Sequence, residues 1–328
     1  MLDDSERAAA GTLPDDPEAD TELMPAPGLS PTLGSFIDEA FERMRARKRG
    51  EEKPITLPWG TLSEALHGGL WPGMYVLVGN TGTGKTQWCF QLAIEAARAG
   101  TPVLYVALES DRLGFASRCL GYVAETPWNY LSYGDHPVLE RVQDAHREAL
   151  KALPLHVEFA SAKGWNYSQI TTAVEALRLA NPGSQPILVV LDYLQIVGAA
   201  NDREDLRARI GNASSAAADV ARTQNAAVLL VSSTARANYD TVAGRGKDTP
   251  LGEGSPTRLV GLGKESGEIE FNADGMFVLA REEGNDVVWL AVAKGRALTK
   301  PAWVELRFNG WRFSEPPGKA PLPGAPTR

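Results

Sequence analysis

From about Leu57 onward, short apolar runs alternate with longer segments of helical spacing. MYVLVG (74–79) leads into a helical stretch from Lys85 to Arg98. VLYVAL (103–108) leads into another that runs through Leu120. LHVEFA (155–160), a helix from Tyr167 to Leu179, ILVVLD (187–192), a helix from Glu204 to Arg222 and AVLLVSS (227–233) continue the alternation. Unbroken apolar strands separated by helices predict a parallel sheet covered on both faces. The chain then changes character. GMFVLARE, VVWLAVAK, AWVELRF and WRFSE follow at short spacing and predict an antiparallel extension. The expected fold class is α/β, a mostly parallel sheet with helices on both faces and an antiparallel C-terminal extension.

Three further regions fall outside that alternation. Residues 1–33 combine a dense set of acids with Pro14, Pro17, Pro25, Pro27 and Pro31, a composition that predicts a disordered leader. Residues 316–328 predict a disordered tail in the same way. Residues 34–55 predict a helix with Ser35 as its cap and Ile37, Phe41 and Met44 on one face. It ends in the basic run Arg43, Arg45, Arg47, Lys48, Arg49. That helix reads either as a solvated end or as an arm that docks on another subunit. The main domain is then expected over 56–315. Between Ala235 and Gly263 lies a glycine-rich, charged stretch without periodicity, and a loop of that length in a compact domain is usually functional.

The chemistry concentrates at one junction. Gly79, Asn80, Thr81, Gly82, Thr83, Gly84, Lys85 and Thr86 fit G-x-x-x-x-G-K-[ST], with a strand before and a helix after. Glycines let successive N–H groups turn inward around a phosphate, and the helix start adds a favourable field for the anion. Lys85 is expected to reach the β- and γ-phosphates of ATP and Thr86 to ligate Mg²⁺. Asp192 ends an apolar strand and is expected to emerge at the carboxyl edge of the sheet, where ligands of open α/β sheets bind. Glu109 ends the strand expected beside it. It can hold a water in line with the γ-phosphate. On position alone, a glutamate that merely stabilises a helix start fits Glu109 equally.

Composition narrows the classes. The chain has 328 residues, and Lys+Arg 33 against Asp+Glu 41 gives a formal net charge of −8. That argues against a globally basic nucleic-acid surface but leaves room for local basic loops. No apolar run is long enough for a membrane span, and the acidic start lacks a signal core, so a cytoplasmic location is expected. Cys89 and Cys119 lie far apart and read as free, buried thiols. The four histidines do not cluster with them into a zinc site.

Several strings together resemble one family, the ATPase domain of DnaB-type replicative helicases in the RecA-like superfamily. They are GTGKT, VLYVALES, LDYLQIV, KESGEIEFNADGMFVLAREE and AVAKGRALTKPAWVELRFNGWRF, in that order from about Thr56 to Phe313. The resemblance implies a ring, hexameric in that family, that hydrolyses ATP to move on single-stranded DNA in replication. It implies Glu109 as the water-polarising glutamate and Asp192 as the magnesium-side aspartate. Lys294 and Arg296 match a basic pair that reaches the γ-phosphate of the neighbouring subunit; without the resemblance they read as a basic hairpin tip. Lys264, Glu265 and Gly267 match a loop that holds DNA phosphates. Arg203, Arg207 and Arg209 fall where the family has another channel loop, and a solvated helix start fits them as well. The sequence departs from the family where a Ser-Gln pair is expected. Ser232 and Ser233 stand there, and Thr234 or Arg236 is left to sense the γ-phosphate. The family's N-terminal helical domain, which serves loading and primase contact, is not matched by the acidic leader, so a loader or primase partner stays open. The alternative is a RecA-, RadA- or KaiC-like ATPase with a regulatory or recombination role and no unwinding. A small-molecule kinase shares the phosphate loop but would need an acceptor pocket and an arginine-bearing lid.

Overall fold

The computed structural model describes residues 32–134, 136–159, 166–183, 185–194, 205–235, 238–243, 250–262, 266–282, 284–296 and 301–317. All but the last two residues of the predicted leader and most of the predicted tail therefore lie outside the described residues, as do Arg203, Arg236, Lys264 and Glu265. The chain divides into two units, Met1–Arg49 and Gly50–Arg328. In the first, α1 (Leu33–Arg49) is a helix of 17 residues with none of them buried. Leu33, Phe36, Ile37, Phe41 and Met44 are exposed along it at helical spacing. Ser35 is not the cap: the helix begins two residues earlier, and Ser35 Oγ donates back to Thr32 O at 2.7 Å.

The second unit opens with α2 (Gly60–Ala65), then β1 (Gly73–Gly79), α3 (Lys85–Arg98), β2 (Val103–Ala107) and α4 (Arg112–Val123). Three short helices follow: α5 (Trp128–Ser132), α6 (His136–Leu139) and α7 (Asp144–Lys151). Next come β3 (Leu155–Phe159), α8 (Tyr167–Ala180), β4 (Ile187–Asp192), α9 (Leu206–Thr223) and β5 (Ala226–Ser233). The chain closes with α10 (Tyr239–Val242), α11 (Ser266–Asn272), β6 (Gly275–Arg281), β7 (Val287–Gly295), β8 (Ala302–Phe308) and β9 (Phe313–Ser314). All nine strands form one sheet in the order β3-β2-β4-β5-β1-β6-β7-β8-β9. The strands from β3 to β6 pair in parallel, and β7, β8 and β9 add antiparallel.

Strand periodicity divides the core. Tyr75 and Leu77 of β1 face one apolar layer, with Trp88, Phe90 and Leu92 of α3; Met74, Val76 and Val78 face the other, with Ile170 and Val174 of α8 and Ile210 and Ala213 of α9. In the first layer Trp59 stacks on Trp88 at 4.6 Å, and Phe115 meets Phe90 and Tyr105 edge-on. One predicted strand differs in kind. LHVEF is the edge strand β3, and its residues alternate between half-buried and exposed instead of forming a buried run. The helices between α4 and β3 and the helix α11 were not predicted. They span four to eight residues each, too few turns for a period of 3.6 to show.

Long-range pins close the fold. The carboxylate of Glu315 accepts from Gly60 N at 2.9 Å and Thr61 N at 2.8 Å, so the start of α2 is capped from the far end of the chain. Arg178 at the end of α8 does more. Its guanidinium donates to the carbonyls of Asn181, Gly183, Gln185, Gln224 and Asn225 at 2.9–3.3 Å. These are the turns that feed β4 and β5. Arg178→Ala orphans several acceptors at once and is expected to cost about 1.5–3 kcal/mol of folding stability. Thermal unfolding checks this, and nucleotide affinity below the transition should stay at the parent value.

Candidate nucleotide site

The carboxyl ends of β1, β2, β4 and β5 meet at one edge of the sheet. β1 is buried along its whole length and delivers Gly79 to that edge. The loop then turns through Gly82 (φ +85°) and Gly84 (φ +93°), backbone that a β-carbon resists. At Gly84 a β-carbon would also lie 2.7 Å from the Phe313 ring. Thr83 Oγ1 donates to Asn80 O at 2.8 Å, and Asn80 Nδ2 donates to Tyr239 O at 2.9 Å. The α4, α8 and α9 starts are capped by Asp111, Asn166 and Asp205. The α3 start has Gly84 at its cap position, no side-chain cap and no acid in its first turn. Its N–H groups are left for an anion.

Lys85 Nζ donates to Gly79 O at 2.8 Å and Asn80 O at 2.9 Å, which folds the side chain over the loop. Burial lowers its pKa, and the charge of Asp192 opposes the shift. Asp192 is 3% exposed. Tyr105 Oη donates to its Oδ2 at 2.8 Å, and Thr86 also hydrogen-bonds to it. Burial still raises its pKa above the usual aspartate value. Thr86 and Asp192 thus pair two hard oxygen donors beside the phosphate loop, a set that suits Mg²⁺ held jointly with phosphate. Glu109 is exposed at the mouth, within electrostatic reach of Lys85 and Asp192.

These groups line a cleft of about 1420 Å³ with Ser233, Thr234, Phe308 and Gly310. Thr234 N donates to Gly79 O at 3.3 Å. Three buried acceptors around the loop have no hydrogen-bond partner among the described residues: Asn80 Oδ1, Gln87 Oε1 and Thr234 Oγ1. Buried polar atoms are nearly always paired, and two of these three, on Gln87 and Thr234, belong to residues that line the cleft. The cleft also holds a cation that sequence reasoning missed. Arg118 of α4 lies over the Trp128 ring at 3.7 Å, and it feels Asp192 and Glu109. Its signal was a lone arginine among the buried Phe115, Cys119 and Tyr122 of one helix.

The other predicted residues lie elsewhere. Gly295 of β7 pairs with Gly275, which pairs with Tyr75, near the amino end of β1. Gly79 is four residues further along, about 13 Å at ~3.3 Å per residue. Lys294 and Arg296 therefore sit towards the opposite edge of the sheet from their own phosphate loop. Lys294 Nζ donates to Glu270 O of α11, and Arg296 pairs with Asp274 at 2.9 Å. Gly267 is exposed on the first turn of α11. Arg207 is exposed and Arg209 half-buried on the first turn of α9.

A phosphate loop after a buried central strand, with an acid at the end of a strand two places away, defines a P-loop nucleoside-triphosphatase fold of the RecA-like kind. The sequence profile described as the DnaB-like helicase C terminal domain matches residues 60–310, and the chain belongs to that family. In fold it is similar to a solved structure described as an ATPase domain, at TM-score 0.71 and 18% identity, over 87% of this chain and 99% of that one. It is also similar to a DnaB-like replicative helicase solved for its interactions with primase, at TM-score 0.67 and 17% identity, over 85% of this chain and 65% of that one. No curated protein matches the chain in sequence.

Folding works against the charge of Asp192. Its raised pKa means the folded chain loses stability as pH climbs from the ordinary aspartate value through the raised one. Asp192→Asn keeps an acceptor for Tyr105 and removes that cost. The expected outcome at pH 7 is a higher melting temperature with Mg²⁺-dependent turnover reduced about 10²-fold or more. Calorimetry and a phosphate-release assay check the two halves.

Proposed function

We propose that the chain is an ATP-driven motor that works as a ring of identical subunits on single-stranded DNA. The observation that carries this reading is the separation of Lys294 and Arg296 from their own phosphate loop. A basic pair at that edge can complete a γ-phosphate site only in a second copy. Within one subunit the loop of Gly79–Thr86 would hold the phosphates, and Thr86 and Asp192 would hold Mg²⁺, which neutralises charge developing on the phosphoryl group. Tyr105 fixes the Asp192 carboxylate. Glu109 would orient the attacking water from the mouth of the cleft, and Phe308, stacked on Phe313 at 4.4 Å, would meet a base on the cleft wall.

DNA would be gripped by the segment that contains Lys264, Glu265 and Gly267, with Arg203, Arg207 and Arg209 as further phosphate contacts. Two tethers support a link from that segment to ATP. Ala235 N, one residue beyond Thr234 on the cleft wall, donates to Leu262 O at 3.0 Å. At the other end Lys294 holds Glu270 O. The segment is thus tied at one end to its own cleft and at the other to the lysine offered to a neighbour. The exposed apolar stripe of α1 is assigned to docking on an adjacent subunit. A primase is named with the second relative, and contact with one here is a proposal of the same family origin.

Ser233 in place of the family glutamine favours the second reading, a RecA-like ATPase that switches assembly without unwinding. Forked-DNA strand displacement separates the two: a DNA-stimulated ATPase that displaces no strand supports the switch. The shared site has its own test. Lys85→Ala should abolish hydrolysis. Glu109→Ala and Arg296→Ala should each be inactive alone, and mixing them should restore a measurable fraction, because some interfaces then pair an intact glutamate with an intact arginine. A trans arginine is worth about 10³–10⁵ in rate, so restored turnover stands far above either background. No recovery on mixing removes the trans assignment. DNA affinity should fall with salt, with a log–log slope of about −0.7 per phosphate contacted.

A further inference from the structure

Gln87 follows Thr86 on the first turn of α3 and is 2% exposed. Its Nε2 donates to Trp311 O at 2.9 Å, which fixes the orientation of the amide. The other end, Oε1, has no partner among the described residues. Gln91 lies one turn further along the same helix and makes a useful contrast. It uses both ends: Nε2 donates to Phe313 O at 2.9 Å, and Oε1 accepts from Phe313 N at 2.8 Å. Pinning the C-terminal strand to α3 therefore accounts for all of Gln91 and only half of Gln87.

Gln87 lines the cleft wall together with Phe308 and Gly310. That wall is firm. Asn309 Oδ1 accepts from Trp311 N at 3.2 Å and Arg312 N at 2.9 Å, closing the turn that Gln87 holds. On the reading that a nucleotide lays its phosphates on Gly82–Thr86 and its base towards Phe308, its sugar is placed beside Gln87 on the same wall.

We propose that Gln87 is a specificity-determining residue, its Oε1 accepting a hydrogen bond from a donor on the nucleoside. A ribose hydroxyl and the amino group of adenine share that chemistry. The inference rests on the reading that the cleft binds ATP. A site that offers a buried acceptor discriminates against ligands that lack the matching donor, because the acceptor is then left unpaired.

The test is a cycle of ligand and side-chain changes on the full chain with Mg²⁺. Dissociation constants are measured by titration calorimetry for ATP, 2′-deoxy-ATP, 3′-deoxy-ATP and purine riboside triphosphate, which lacks the amino group. The parent should bind one of the three analogues about 5- to 150-fold more weakly than ATP. The identity of that analogue tells the ribose from the base. In Gln87→Met the same analogue and ATP should bind within about twofold of each other, whatever the absolute affinity, since a cycle cancels general loosening of the wall. Equal ratios in parent and variant overturn the inference. So does a parent that binds all four nucleotides alike, which needs no variant to fold. A parent whose nucleotide affinity is absent, or indifferent to Lys85→Ala, overturns the nucleotide site itself and this inference with it.

Discussion

A carboxylate held almost out of water at the end of β4 governs the rest of the structure. Asp192 is 3% exposed, with Tyr105 and Thr86 bonded to it and Lys85 close by. Such a charge survives burial only with partners placed in advance. Placing them demands that β2 and β4 pair in register, Ala107 opposite Asp192, and that α3 start where Thr86 can reach back. The register of the sheet, the turn at Gly84 and the aromatic packing around Tyr105 all serve one group. In the proposed site a cation would share that group and offset its cost. Stability is given up at the point where chemistry is expected, as is usual for working sites.

The two edges of the parallel sheet carry different halves of one proposed reaction. The carboxyl edge holds the phosphate loop, Asp192 and Glu109. The amino edge holds Lys294 and Arg296, kept in place by α11 and Asp274. A single copy cannot bring the halves together, because the strands between them are rigid and buried on both faces. In the proposed ring, dependence on a neighbour would follow from sheet topology rather than from any flexible loop. The same topology makes nucleotide turnover in the proposed ring sensitive to how subunits pack.

What was legible in the sequence follows from the length and period of each element. The buried strands and the helices α3, α8 and α9 run for enough residues to show their periods, and Lys85–Arg98 matches the helix as read. The phosphate loop was legible because glycine and lysine spacing there answers to one chemistry. Helices of a single turn or two between α4 and β3 left no period to read. Arg118 and Gln87 were harder still. Arg118 reaches the cleft against Trp128 of the next helix and Gln87 is fixed by Trp311 from the far end of the chain, and no local pattern encodes those meetings. Glu109 lay between: its place after β2 was legible, while its exposure at the mouth depends on the loop that follows.

The serine where the family carries a glutamine bears on how force could be transmitted. A long side chain can span from the phosphate to the DNA segment, and Ser233 cannot. The main chain supplies another path. Thr234 binds the first residue of the phosphate loop through its N–H, and Ala235 binds Leu262 through the next one. Two consecutive amides just past the end of β5 thus touch the nucleotide loop and the segment proposed to hold DNA. Such a link is short and stiff, so a small shift of β5 moves both ends together. A backbone coupling of this kind does not need the glutamine. It makes loss of that residue compatible with a motor, provided β5 has two positions that ATP and its products favour unequally.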